Sequence, residues 1–551
     1  MRIGGYCGVL ASAGLLLSAC AGSDRKIPPP STDIDETVYR AHVRVLASDD
    51  FEGRKPGTPG EEKTVAYLVE QFRKLGLKPG NGESFLQQVP MIESVAGADA
   101  SLSIAGRNGT LALAYGKDMV IWSKSGVPQA ELRRSELVFV GYGIVAQEFD
   151  WNDYAGIDVH GKTVVVLVND PGYGTKDPKV FRGGAMTDYG RWAYKIEEAA
   201  RQGAAGVLLI YDSDAVGYGW SVVQNTWSGA QLGLATADGG AAGAAIEGWI
   251  QKDAARALFT AAGLDFAASA SAAAHAGFKA IPMGVRVDAT LHNTVRKFTS
   301  ANVIAQLPGG GRRREYVVYA AHWDHLGRDL TRSGHNIFNG AVDNASGVAG
   351  LLTLAQSFVR TKPVADRSIV FLAPTGGEAG LLGSEYYAEN PVFPLRDTVA
   401  VLNLDTLHIG GPTRDVTVFA AGNTDLEDYA RAVALLQGRE ITPDPMPERG
   451  VYFQSDSFTF AKVGVPVLYA QGGFDDSARG PVWGRARLDD YLAHRYHQPS
   501  DQYSPDWDVR GALDDLRLYY DVGNRVAHSR RFPRWYPNSE FRVSRDRRAA
   551  P

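Results

Sequence analysis

The chain of 551 residues predicts an α/β protein: a doubly wound, mostly parallel sheet with a β-rich α+β segment inserted ahead of it. Three observations carry this reading. From about residue 300, continuous apolar runs suited to buried strands alternate with segments of helical spacing. Between about 92 and 290 that rhythm gives way to short strand-like runs parted by turn residues. The conspicuous polar residues after 300 stand directly behind the apolar runs, at the strand ends where open α/β sheets gather ligands.

At the N-terminus, Met1 and Arg2 precede an apolar run from Val9 to Ala19 that is too short to span a membrane and reads as a processed leader. It ends in Leu17-Ser18-Ala19-Cys20, which resembles the bacterial lipobox. The resemblance implies a signal peptide over 1–20, a lipid on Cys20 and a place in the cell envelope, facing the periplasm or the exterior. Residues 21–35, with Pro28-Pro29-Pro30, read as a stiff tether. Cys7 lies inside the leader, so the mature chain has no disulfide, no cysteine nucleophile and no thiolate metal site. With 57 basic and 62 acidic residues, a net charge of -5, the chain offers no field for gripping phosphates, which argues against a nucleic-acid partner.

Residues 36–92 form a first segment. In it Val65, Leu68, Val69, Phe72 and Leu75 fall at helical spacing and stop at Gly76, which predicts a helix over 61–75. The insertion is placed at 93–298 with its core at about 137–290. Strands are expected at 137–140, 163–168 and 206–210, a helix at 195–202, and loops with a last helix in the Ala/Gly-rich run 229–276. The stretches VGYGI, DYAGIDVHGKTVVVLV and KIEEAARQGAAGVLLIYD resemble a protease-associated (PA) domain, which in peptidases leans over the active site and shapes access. No chemistry is assigned to it.

Residues 299–535 form the main segment, followed by a tail at 536–551. Runs 316–320, 369–373 and 399–404 read as buried strands, and Val348, Leu351, Leu352, Ala355, Phe358 and Val359 share one helical face. His322, Asp324 and His325 follow the first run, Glu378 the second and Asp405 the third. Two metal ions a few ångströms apart need a bridging carboxylate, one or two further N/O ligands each, and room for a bridging water or hydroxide. Taken alone, Asp343 before Asn-Ala-Ser-Gly also reads as a helix cap.

The motifs AAHWDH, AVDNASG, EAGLLGS, LNLD and YHQPSD, in that order over about 300–505, resemble the M28 family of zinc aminopeptidases and related carboxypeptidases. ASDDFEGRKPGTPGEE resembles that family's N-terminal segment. The resemblance implies the zinc-exopeptidase (phosphorylase/hydrolase-like) fold, peptide substrates and two zinc ions. Asp343 would bridge them, His322 and Asp405 would complete one site, and Glu378 and His497 the other. Asp324 would accept the second N–H of His322 and fix its tautomer, with Asp501 doing the same near His497. Tyr452 matches a position that can hold a hydroxyl against the tetrahedral intermediate. His325, His335 and His408 receive no ligand role.

One position departs from the family. Where it keeps a glutamate as general base, just before the metal-binding glutamate, this chain has Gly377. Loss of a general base removes about 10²–10⁴ in rate while leaving metal activation of water, so the departure implies a slow enzyme. The functions left open are aminopeptidase, carboxypeptidase, glutaminyl cyclase, and a weakened or inactive binding protein on the same fold. Contact with a membrane is expected only through the lipid anchor.

Overall fold

A computed structural model describes residues 34–106, 109–235, 243–362 and 364–542. The leader, Cys20, nearly all of the tether and the end of the tail lie outside these residues. No described helix is long and apolar enough to cross a membrane.

The main sheet is built from β1 (Leu86–Ala96), β2 (Ile281–Leu307), β3 (Tyr316–Ala320), β4 (Ser368–Ala373), β5 (Thr398–Asn403), β6 (Asp415–Val418), β7 (Glu440–Pro443) and β8 (Val467–Gly472). Its order is β1–β2–β4–β3–β5–β8–β6–β7. The pairs β4–β3, β3–β5 and β5–β8 are parallel. The outer pairs β1–β2, β2–β4 and β8–β6 are antiparallel, and β6–β7 is again parallel. Every residue of β3, β4 and β5 is buried, as expected of strands covered on both faces.

Alternation along the strands separates two cores. The helices that matter are α1 (Glu36–Leu46), α2 (Pro59–Lys74), α3 (Trp220–Trp227), α4 (Gly347–Arg360) and α5 (Arg510–His528). Val317, Tyr319, Ile369 and Phe371 pack with apolar residues of α1, α2, α4 and α5. Val318, Ala320, Val370 and Leu372 face the other way, against Tyr387, Phe458 and Phe460 from two shorter helices. The fold is therefore mixed α/β with a mostly parallel centre and helices on both faces.

The inserted segment has its own core and a parallel trio, Thr163–Leu167, Gly206–Ile210 and Ile246–Ile250. The Ala/Gly-rich stretch, expected to hold loops and a last helix, contains two strands, Gln231–Leu234 and Ile246–Ile250, and two helices, Lys252–Ala261 and Phe266–Ala273. Among the described residues, insertion and main sheet are joined through strands rather than a linker. β2 runs for 27 residues, pairing with Gln129–Phe139 and Ser101–Gly106 in its first half and with β1 and β4 later. The expected boundaries at 92/93 and 298/299 thus fall inside β1 and β2.

Candidate metal centre

The parallel strands deliver the polar residues to one edge. β3 ends just before His322, β4 leads into the loop carrying Glu378, and β5 ends two residues before Asp405. Asp343 lies in the kinked turn that opens α4, and His497 in the loop after helix Pro481–His494.

These five side chains converge around Asp343. Its Oδ1 is 3.6 Å from His322 Nε2, and its Oδ2 is 3.2 Å from His497 Nε2. Asp405 Oδ1 is 3.6 Å from His322 Nε2, and Glu378 Oε2 is 3.1 Å from His497 Nε2. One donor atom each of His322, Asp343 and Glu378 lies within 4.8 Å of the other two. All five are almost wholly withdrawn from water, and three carboxylates so placed need countercharge. In protein alone that charge comes from protons on the imidazoles. Burial works against the protonated form of His497, yet Glu378 and Asp343 push its pKa up to about 10. Burial would raise Glu378, but His497 and His325 hold it well below the usual carboxylate range. His497 Nε2 faces this cluster with no hydrogen-bond partner among the described residues. A donor set of two imidazoles and three carboxylates, with one carboxylate shared between two halves, fits two zinc ions, which would take the place of those protons.

The surroundings of the five depart from expectation in several places. Asp324 Oδ1 stands 3.6 Å from His322 Nδ1, too far for a hydrogen bond. Its carboxylate instead accepts the amides of Gly377 at 2.8 Å and Glu378 at 3.3 Å, so it holds the Glu378 loop. Asp501 accepts the amides of Val342 and Asp343 at 3.1 Å, and thereby sets Asp343 rather than the ring of His497. His497 Nδ1 lies 2.8 Å from Thr226 Oγ1, a side chain of α3 in the insertion. His325, given no role from sequence, is fully buried with Nδ1 2.6 Å from Glu378 Oε1. His335 contacts Asn339 at 2.9 Å, and His408 is half-buried with Nε2 unpartnered among the described residues.

Arg54, from the segment ASDDFEGRKPGTPGEE, is 1% exposed and donates to four carbonyls: Leu46, Trp323, Asn339 and Gly340. It ties the turn before α2 to the loops on either side of the centre. Asn344 does similar work within the main segment, donating to Leu404 O at 3.1 Å and accepting from Gly347 and Thr406.

Tyr452 does not reach the centre. The short turn Val451–Gln454 presents Val451 and Gln454 to the cavity and turns Tyr452 into an apolar cluster, 6.1 Å from the Phe541 ring. Among the tyrosines that line the centre is Tyr496, beside His497, whose ring it meets at 4.1 Å. Burial, with Asp343, Glu378, Tyr218 and Asp405 close by, pushes its hydroxyl well above the usual range, so it remains a donor. Its signal in the sequence is its place in YHQPSD. Glu385 sits in helix Leu382–Glu389 with Glu197, Glu389, Lys462 and Lys124 as its charged neighbours, so it does not supply what Gly377 lacks.

Besides a cavity of about 110 Å³ lined by Glu378, Tyr496 and His497, two more meet at the centre. One, of about 160 Å³, has His322, Asp343, Glu378 and Asp405 at its base and walls such as Phe419, Met446 and Leu488. The other, of about 440 Å³, lies across Glu378 and carries Lys55, Lys124 and Arg328. Residues of the insertion line both, among them Tyr218 on the first and Thr226 on the second.

Residues 302–520 match the family model described as peptidase family M28. A probable zinc metalloprotease of Pyricularia oryzae is 29% identical over 250 residues, 41% of this chain and 47% of that protein. Aminopeptidase NAALADL1 of Mus musculus is 31% identical over 129 residues, 22% of this chain and 16% of that protein. The chain thus spans less than half the length of either relative. Among solved structures, an aminopeptidase from Aneurinibacillus sp. strain AM-1 aligns over 92% of this chain and 95% of its own with a TM-score of 0.51 at 20% identity, a shared fold.

Proposed function

We propose that this chain, whose residues 302–520 match peptidase family M28, is a two-zinc exopeptidase that removes N-terminal residues from peptides. The observation that carries the reading is Asp343, whose two oxygens face different imidazoles, His322 and His497, at the base of a cavity. Zinc ions held by His322, Asp343 and Asp405 on one side and by Asp343, Glu378 and His497 on the other would polarise the scissile carbonyl and acidify water. The Tyr496 hydroxyl, kept protonated, donates toward the carbonyl oxygen as that oxygen gains charge. The apolar cavity beside Asp405 receives the side chain of the residue to be released, favouring apolar ones. The insertion is read as a PA domain that narrows access. Cys20 carries the lipid that holds the enzyme in the cell envelope.

The deciding experiment incubates the purified protein with zinc, counts bound metal, and compares leucyl and acetyl-leucyl anilides. Two zinc ions per chain and cleavage of the free-amine substrate alone are expected. Equal cleavage of the acetylated substrate would sink the aminopeptidase reading. A second reading, a metal-bound but catalytically weakened binding protein, is favoured by one observation: Gly377 stands where the family keeps its base. Peptide binding with two zinc ions held and no turnover would select it.

A further inference from the structure

We infer that helix α3 of the insertion is a positioning element of the metal centre, with Thr226 fixing the ring of His497 and Asn225 fixing its backbone. The inference rests on the metal centre proposed above and concerns how one of its ligands is held.

His497 adopts φ of 54°, a left-handed conformation that a residue with a side chain keeps only when its surroundings hold it. The surroundings come from outside its own segment. Asn225 Nδ2 donates to His497 O at 2.8 Å and to Gln498 Oε1 at 3.0 Å. Gln498 Nε2 in turn donates to Ser221 Oγ at 3.1 Å. Ser221 and Asn225 are one helical turn apart, so a single face of α3 reads the 497–498 backbone and side chains together. Beside them Thr226 Oγ1 meets His497 Nδ1 at 2.8 Å.

The tautomer follows from this geometry. His497 Nε2 points at Asp343 and Glu378, at 3.2 and 3.1 Å. A metal there takes the Nε2 lone pair, which leaves the ring proton on Nδ1, and Nδ1–H then needs an acceptor. Thr226 Oγ1 is that acceptor. A role usually filled by a carboxylate or carbonyl is here filled by a hydroxyl reaching in from the inserted segment. Seating of the insertion and affinity for the second zinc are therefore thermodynamically linked, each strengthening the other.

The test uses the full-length protein with Thr226→Val, which keeps the shape and removes the acceptor, and Thr226→Ser, which keeps the acceptor. Zinc affinity is measured by competition with a chromophoric chelator, and bound zinc per chain is counted at fixed free zinc. The valine variant is expected to bind the more weakly held zinc about 10–100-fold less tightly, and the serine variant to stay close to wild type. Thermal unfolding of the three metal-free proteins accompanies the titrations, and equal midpoints with unequal zinc affinities separate positioning from general packing. Wild-type affinity in the valine variant, or equal loss in both variants, overturns the inference. A wild type that binds no zinc overturns it together with the metal centre. A wild type that binds zinc but cleaves nothing sinks only the peptidase reading, and the contrast between valine and serine still decides this one.

Discussion

At Gly377 a Cβ would lie 2.6 Å from His322 Cγ and 2.8 Å from its Nδ1. The ring of His322, a zinc ligand in the proposed centre, occupies the space that any side chain at 377 would enter. Restoring the family's glutamate by Gly377→Glu is therefore expected to displace His322 and weaken zinc binding instead of accelerating hydrolysis. Gly377→Ala should already cost about 1–3 kcal/mol of stability by overpacking. Urea unfolding and zinc titration of both variants check this, and a faster Gly377→Glu enzyme with two tightly held zinc ions would contradict it. The family resemblance implies that a carboxylate is missing at 377. It does not show that His322, 55 positions away, has closed over the place. The same limit explains Tyr452 and Asp501: motif order names residues near a centre, but which way a short turn rotates each side chain is decided by packing across the fold.

Among the elements, those with one uniform environment were the most legible. Strands β3, β4 and β5 are buried throughout and read as unbroken apolar runs, and α4 shows a clear apolar face. β2 spans the expected boundary at 298/299, and its environment changes along its length. Met283, Val285, Val287, Ala289 and Leu291 are buried in alternation with more exposed neighbours, whereas from Ser300 to Ala305 every residue is buried. The pattern changes as the strand passes from a sheet with one wet face to one covered on both sides, and a change of pattern resembles a boundary. The turn holding Arg54 carries another consequence invisible in one dimension. Arg54→Met would strip four buried carbonyls of their donor. Loss of about 3–5 kcal/mol of stability is expected, with poor rescue by lysine, whose ammonium cannot match the planar fork. Denaturant midpoints of the two variants test this.

For the whole molecule, the centre joins three stretches of chain: the N-terminal segment through Arg54, the insertion through α3, and the main segment through the five converging side chains. A ligand bound only by the folded state stabilises it, by about 2.7 kcal/mol when present at 100 times its dissociation constant. Chelation should therefore lower the melting temperature of the entire protein, insertion included, in one transition. Calorimetry with and without a chelator checks it; a metal-independent transition for the insertion would count against the linkage.

The long strand β2 also sets how the site can open. Because β2 runs unbroken from the insertion into the main sheet, a twist of that ribbon would move α3 relative to His497. Widening the path for a substrate and loosening a metal ligand are then one movement. A metal ion held by His497 would then be exposed whenever a large substrate is admitted, and the rate at which a chelator strips it would measure how often the cleft opens.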